Sequence, residues 1–158
     1  MRTILVVCTG NLCRSPMAAA LLRAWLDEDK QREDWRVISA GTWAPEGRPA
    51  SAHAIAEMTE RGLDIALHRS KNIDEAAMDD ADLVLVMTGS HAEALSVVFP
   101  RQTGKVHLLS SMVGETHDIL DPYGGPRLEY AQVARELEGL IEAGYDRIVA
   151  LAERCPKT

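Results

Sequence analysis

Residues 3–16 read TILVVCTGNLCRSP, and the fold can be worked out from this stretch. Residues 3–7 (TILVV) are β-branched and almost wholly apolar, which suits a strand covered on both faces. Ser15 is an N-cap residue and Pro16 takes the favoured first helical position. Met17, Ala20, Leu21, Ala24 and Trp25 then recur at helical spacing, so a helix is expected over residues 15–31. The seven residues between strand and helix form a tight turn that begins with Cys8 and ends with Arg14.

Working outward, strand-like and helix-like segments alternate. Residues 35–39 (WRVIS), 82–87 (DLVLVM) and 105–109 (KVHLL) read as strands. Residues 51–61 read as a helix capped by Ser51 and closed by Gly62, with a short helix over 74–78 and another over 90–98 that Pro100 ends. Residues 110–127 read as a long loop rich in Gly, Pro and Asp, a type of segment that is usually functional. A last helix spans about 128–153, although Gly139 and Gly144 leave its continuity open. This rhythm predicts an α/β fold: a four-stranded parallel sheet with helices on both faces. Ligands of such sheets bind at the carboxyl ends of the strands, which is where Cys8 lies.

The length, 158 residues, fits one domain over 1–158 with a core that needs no disulfide or metal staple. Seventeen Lys and Arg against 24 Asp and Glu give a net charge of −7. That balance argues against a nucleic-acid backbone or an anionic membrane as partner, so any anion must be held by a local arrangement. No run approaches a membrane span, and the opening apolar run is too short for a signal peptide; a cytoplasmic protein is expected. Three cysteines, Cys8, Cys13 and Cys155, do not make a secreted disulfide framework.

The turn has the chemistry to hold a tetrahedral anion. Its backbone N–H groups can wrap one such ion while the following helix adds its positive end. Gly10 permits a restricted backbone conformation, and Arg14 offers a planar fork for two phosphate oxygens. Cys8 would face the centre of that nest, where the N–H dipoles favour a thiolate able to attack phosphorus. The hydroxyl of Ser15 can donate to the sulfur. A cysteine at a strand end is most often a small buried hydrophobe. The Ser-Pro helix start, the Gly-Asn within the turn and the strand–turn–helix setting favour the anion-binding reading. A departing alkoxide or phenolate needs a proton, and Asp121 in Asp-Pro-Tyr-Gly is the candidate donor, although Asp-Pro also opens turns on its own account.

Cys8-Thr9-Gly10-Asn11-Leu12-Cys13-Arg14-Ser15-Pro16, with the distant Asp121-Pro122-Tyr123-Gly124, resembles the low-molecular-weight protein tyrosine phosphatase family over essentially the whole chain. The resemblance implies Cys8 as nucleophile, Arg14 as phosphate clamp and Asp121 as general acid. It implies a phosphate-binding loop of Thr9, Gly10, Asn11, Leu12, Cys13 and Ser15, with Ser39 joining Asn11 and Ser15 in a supporting hydrogen-bond network. Trp43 and Tyr123 would be the cleft walls, and Cys13 the redox partner of Cys8, although Cys13 also reads as a packing residue. The resemblance implies no metal and no cofactor, a phosphorylated protein as substrate, inorganic phosphate or sulfate in the loop, and a monomer.

Residues 121–125 and the strand at 82–87 are also similar to the bacterial branch that includes protein arginine phosphatases. That branch carries Thr where this chain has Leu12, an aliphatic side chain that suits a phenyl ring, so phosphotyrosine is preferred over phosphoarginine. Arsenate reductases of the same fold need further cysteines near mid-chain, and only Cys155 is available. A non-catalytic phosphopeptide-binding module would usually lack Cys8 or Asp121. His53, His68, His91, His107 and His117 have no metal-site spacing, so surface or capping roles are expected. His68 and His117 are candidates for the active face.

Overall fold

In β1 (Thr3–Cys8) all six residues are buried, as an apolar run covered on both faces requires. The computed structural model describes residues 1–155. After β1 come α1 (Arg14–Glu28), β2 (Arg36–Gly41), α2 (Ala52–Glu60), α3 (Glu75–Asp80), β3 (Leu83–Val86), α4 (Gly89–Val98), β4 (Val106–Leu108) and α5 (Arg127–Arg154). The four strands form one sheet in the order β2-β1-β3-β4, with every pairing parallel. The chain leaves β1 toward one edge and later returns to its other side, so the end of β1 is the switch point where a crevice opens.

Side chains of β1 alternate between two cores. Ile4, Val6 and Cys8 join Met17 and Leu22 of α1 and Leu137 and Ile141 of α5. Leu5 and Val7 join Met78 of α3 and Leu95 of α4 on the opposite face. The helices therefore sandwich the sheet, as the alternating sequence predicts.

Boundaries differ where side chains have other employment. α1 begins at Arg14 with Cys13 at the N-cap position, because the Ser15 hydroxyl is turned toward Cys8 and Asn11. It ends at Glu28, since Asp29 leaves helical geometry and its side chain accepts from Gln31 N–H to start a 3-10 turn over Lys30–Arg32. Ser51 stands at the N-cap of α2, yet its hydroxyl contacts the Cys13 sulfur and caps nothing. The segment expected as a loop after β4 opens with a 3-10 turn, Leu109–Val113.

α5 runs unbroken through both glycines. Gly139 has open space around its Cα, whereas a Cβ at Gly144 would lie 2.6 Å from that of Met112. Gly144 thus allows the helix to lie directly on the 3-10 turn. Among the described residues no helix is long and apolar enough to cross a membrane.

Candidate active site

The turn after β1 is shaped by Asn11. It is fully buried and has φ 56°, a left-handed conformation that Asn tolerates better than other side-chain-bearing residues. The sequence points to Gly10 for the special conformation, but the structure places it one residue later, where a side chain is also needed. Asn11 Nδ2 donates to Ser15 Oγ at 2.8 Å and to Ser39 Oγ at 3.0 Å. Its Oδ1 accepts from Lys71 N–H at 3.1 Å, and its carbonyl accepts from His68 Nε2 at 2.7 Å. No glycine can supply the side-chain bonds.

The end of β2 presses the turn from the side. Thr42 N–H donates to Cys8 O at 2.9 Å and Trp43 N–H to Thr9 O at 3.0 Å. A Cβ at Gly41 would collide with the Thr9 carbonyl. Ser51 N–H at the start of α2 holds Leu12 O at 2.9 Å.

Cys8 Sγ is 3.0 Å from Ser15 Oγ. The amide group of Asn11 can only donate to that oxygen, so the Ser15 proton is free to point at the sulfur. Arg14 is 4% exposed. Its Nη1 donates to Ile119 O at 2.9 Å, and Nη2 lies 3.4 Å from both Thr9 Oγ1 and Asp121 Oδ2. Its Nε is buried with no hydrogen-bond partner among the described residues, a costly state for part of a cation. An oxyanion in the turn would satisfy it.

Asp121 reaches the site from the loop before α5. Its Oδ1 accepts from Tyr123 N–H at 3.1 Å, an Asx turn that leaves Oδ2 for Arg14. The turn-opening role and the site role of Asp-Pro therefore coexist. Cys8, Thr9, Gly10, Leu12, Cys13, Arg14 and Asp121 line one cavity of about 280 Å³, whose rim carries Trp43, Pro45, Arg48 and Tyr123. Trp43 is 84% exposed and Tyr123 62%, unusual for aromatic rings without a binding role.

Cys13 has its Sγ 3.3 Å from Ser51 Oγ and from Tyr130 OH. Burial pushes its thiol pKa up, against the lowering effect of those two hydrogen bonds. Tyr130 is pushed up to about 12, chiefly by burial. Among the described residues, no group of three or more His, Cys, Asp and Glu side chains is placed to hold a metal ion.

The family model described as low molecular weight phosphotyrosine protein phosphatase matches residues 3–151. The chain belongs to that family.

Relatives within this phosphatase family differ in the activity their names state. A protein-arginine-phosphatase of Geobacillus stearothermophilus is 45% identical over 140 residues, 88% of this chain and 90% of that protein. A probable low molecular weight protein-tyrosine-phosphatase, EpsP, of Ralstonia solanacearum is 39% identical over 151 residues, 96% and 99% of the two chains. Among solved structures, a cysteine-to-serine mutant of the YwlE arginine phosphatase, with a phosphorylated active site serine, has a TM-score of 0.87 at 36% identity. The match covers 93% of this chain and 95% of that one.

Two groups around Arg14 and Thr9 in this candidate site leave no mark in the sequence that points there. One is the carbonyl of Ile119, which no side-chain pattern announces. The other is His91, for which the sequence suggests only a surface or capping role. It does cap α4, but it is 4% exposed and its Nε2 is 2.8 Å from Thr9 Oγ1. The Thr88-x-x-His91 spacing is a capping-box signal, yet nothing in it points 82 residues back to the turn. Of the two histidines that are candidates for the active face, His68 holds the turn at Asn11 O, whereas His117 bridges Glu115 and Glu136 at 2.9 and 2.7 Å.

Proposed function

We propose that this chain is a protein tyrosine phosphatase acting through a phosphocysteine intermediate, with Cys8 as nucleophile, Arg14 as clamp and Asp121 as general acid. One observation carries the reading: Cys8 Sγ, with the Ser15 hydroxyl 3.0 Å away, opens into the same cavity as Arg14 and Asp121. In the first step sulfur bonds to phosphorus, the P–O bond to the leaving group breaks, and Asp121 gives its proton to the departing oxygen. In the second, Asp121 takes a proton from water, the water oxygen bonds to phosphorus and the S–P bond breaks. Arg14 and the turn's N–H groups hold the charge on the transferring oxygens in both steps.

The same reading makes 1–158 a single phosphatase domain, monomeric and cytoplasmic, that needs no cofactor and binds inorganic phosphate or sulfate in its loop. Leu12, Trp43 and Tyr123 present apolar and aromatic surface around the cavity, which suits a phenyl ring. A second reading, phosphoarginine, is favoured by the 45% identity to a protein-arginine-phosphatase. Cys13 is assigned as the thiol that pairs with Cys8 under peroxide, a disulfide that mass spectrometry would detect.

The test is Cys8→Ser with matched phosphotyrosine and phosphoarginine peptides. The variant should bind vanadate yet release no phosphate, and wild-type turnover should favour phosphotyrosine, with Leu12→Thr shifting the balance toward phosphoarginine. Wild-type rates in Cys8→Ser would refute the nucleophile, and a wild-type preference for phosphoarginine would select the second reading.

A further inference from the structure

α4 begins with a capping box that does more than end-protect a helix. Thr88 Oγ1 accepts from His91 N–H at 3.2 Å, and Thr88 N–H donates to His91 Nδ1 at 3.2 Å. A backbone N–H can only donate, so Nδ1 carries no proton and the neutral ring bears its hydrogen on Nε2. That Nε2 stands 2.8 Å from Thr9 Oγ1, to which it donates. The same threonine oxygen is the acceptor facing Arg14 Nη2 at 3.4 Å.

Nη2 of Arg14 is therefore shared, at equal distance, between a neutral hydroxyl and the Asp121 carboxylate. These two anchors behave differently during turnover. To act as an acid Asp121 must carry a proton, and a protonated carboxyl no longer attracts the guanidinium as an anion does. This happens when substrate is in place and the fork must not drift. The Thr9 anchor does not change with the protonation of Asp121, because its own support is an uncharged imidazole. The same turn of α4 also fastens the acid loop, since Gly89 N–H donates to Asp118 Oδ1 at 2.8 Å.

We propose that His91 is a positioning residue for phosphate binding: through Thr9 it keeps the Arg14 fork in place when Asp121 is protonated. This rests on the functional reading above. Burial fits the role, with His91 4% exposed and held neutral, its pKa lowered to about 4 by burial and by Arg14 against the pull of Asp118 and Asp121.

Two substitutions separate this role from capping. His91→Asn keeps an acceptor where Nδ1 lies but cannot reach Thr9. His91→Gln can bring an amide N–H to the Nε2 position but gives up the cap. Inorganic phosphate affinity, by calorimetry, should fall about tenfold in His91→Asn and recover most of that loss in His91→Gln. Melting temperature should rank the two in the opposite order. Equal phosphate affinity in His91→Asn and wild type, or equal losses in both variants, would overturn the proposal. Should His91→Asn not fold, Thr9→Val removes the acceptor while leaving the capping box, and undiminished phosphate affinity there would be equally fatal. Failure of the functional reading looks different, because wild type itself would then not hydrolyse an aryl phosphate.

Discussion

Ser15 Oγ lies 3.0 Å from Cys8 Sγ and accepts from Asn11 Nδ2, which leaves its hydroxyl hydrogen free to donate to the sulfur. A donor aimed at sulfur stabilises negative charge on it, and that charge reappears when the S–P bond breaks. Ser15→Ala should therefore slow the second step more than the first. Pre-steady-state kinetics on an aryl phosphate should show a burst of phenol followed by a turnover rate reduced about tenfold to a hundredfold. A slow single phase without a burst would place the hydroxyl's effect on attack instead.

Asp121 Oδ2 is 3.4 Å from Arg14 Nη2, and its other oxygen is tied to Tyr123 N–H. Asparagine preserves this shape and the turn but has no proton to give. In Asp121→Asn, phenyl phosphate should lose roughly 10²-fold in kcat or more, while an activated nitrophenyl ester loses far less. Equal losses on the two esters would remove Asp121 as the acid. Phosphate affinity serves as the control for a displaced Arg14.

The parts of this design that a sequence can express are those carried by neighbours in the chain. TILVV next to a Ser-Pro helix start specifies strand, turn and helix with no outside help, and all four strands fall where their apolar runs place them. The proposed nucleophile, clamp and acid also carry sequence signals, because a Cys-x5-Arg turn and an Asp-Pro turn are local motifs. What stays hidden depends on distant partners. Asn11 takes the left-handed conformation that glycine would ordinarily be expected to take, because Ser15, Ser39 and the Lys71 N–H together reward its amide. Ser15 and Ser51 read as caps, yet they face the two turn cysteines. The Ile119 carbonyl and the Nε2 of His91 become visible only when β3, α4 and the acid loop are assembled around Arg14.

The two glycines of α5 provide a paired stability test. Gly139 is exposed, with nothing within 4 Å of where an added methyl would sit, so Gly139→Ala should stabilise by about 0.5–1 kcal/mol through helix propensity. Gly144→Ala gains the same propensity but drives its methyl to 2.6 Å from the Met112 Cβ, where overpacking costs about 1–3 kcal/mol. Urea unfolding should therefore move the two midpoints in opposite directions. Stabilisation by both would mean that the 3-10 turn under Gly144 yields freely.

Acid should weaken the fold through buried His91 and half-buried His68 and His107. Burial, reinforced by Arg14, lowers the His91 pKa from 6.5 to about 4, and burial likewise lowers those of His68 and His107. An unfolded chain protonates these rings near their ordinary value while the folded chain resists, so the unfolded state binds more protons and stability falls as pH falls. The contribution of His91 is fully present above about 6.5, declines as pH drops toward 4, and is gone below that. Its full size is on the order of 3 kcal/mol, of which about 2 kcal/mol is lost by about pH 5. Urea midpoints at about pH 7.5 and about pH 5 should differ markedly in wild type and less in His91→Asn, which removes the titrating ring and keeps an acceptor for Thr88 N–H. Parallel declines in the two proteins would assign the acid sensitivity to other groups, with Glu57 the first candidate, its pKa lowered overall by Arg127 and Arg61 despite the opposing, largest effect of burial.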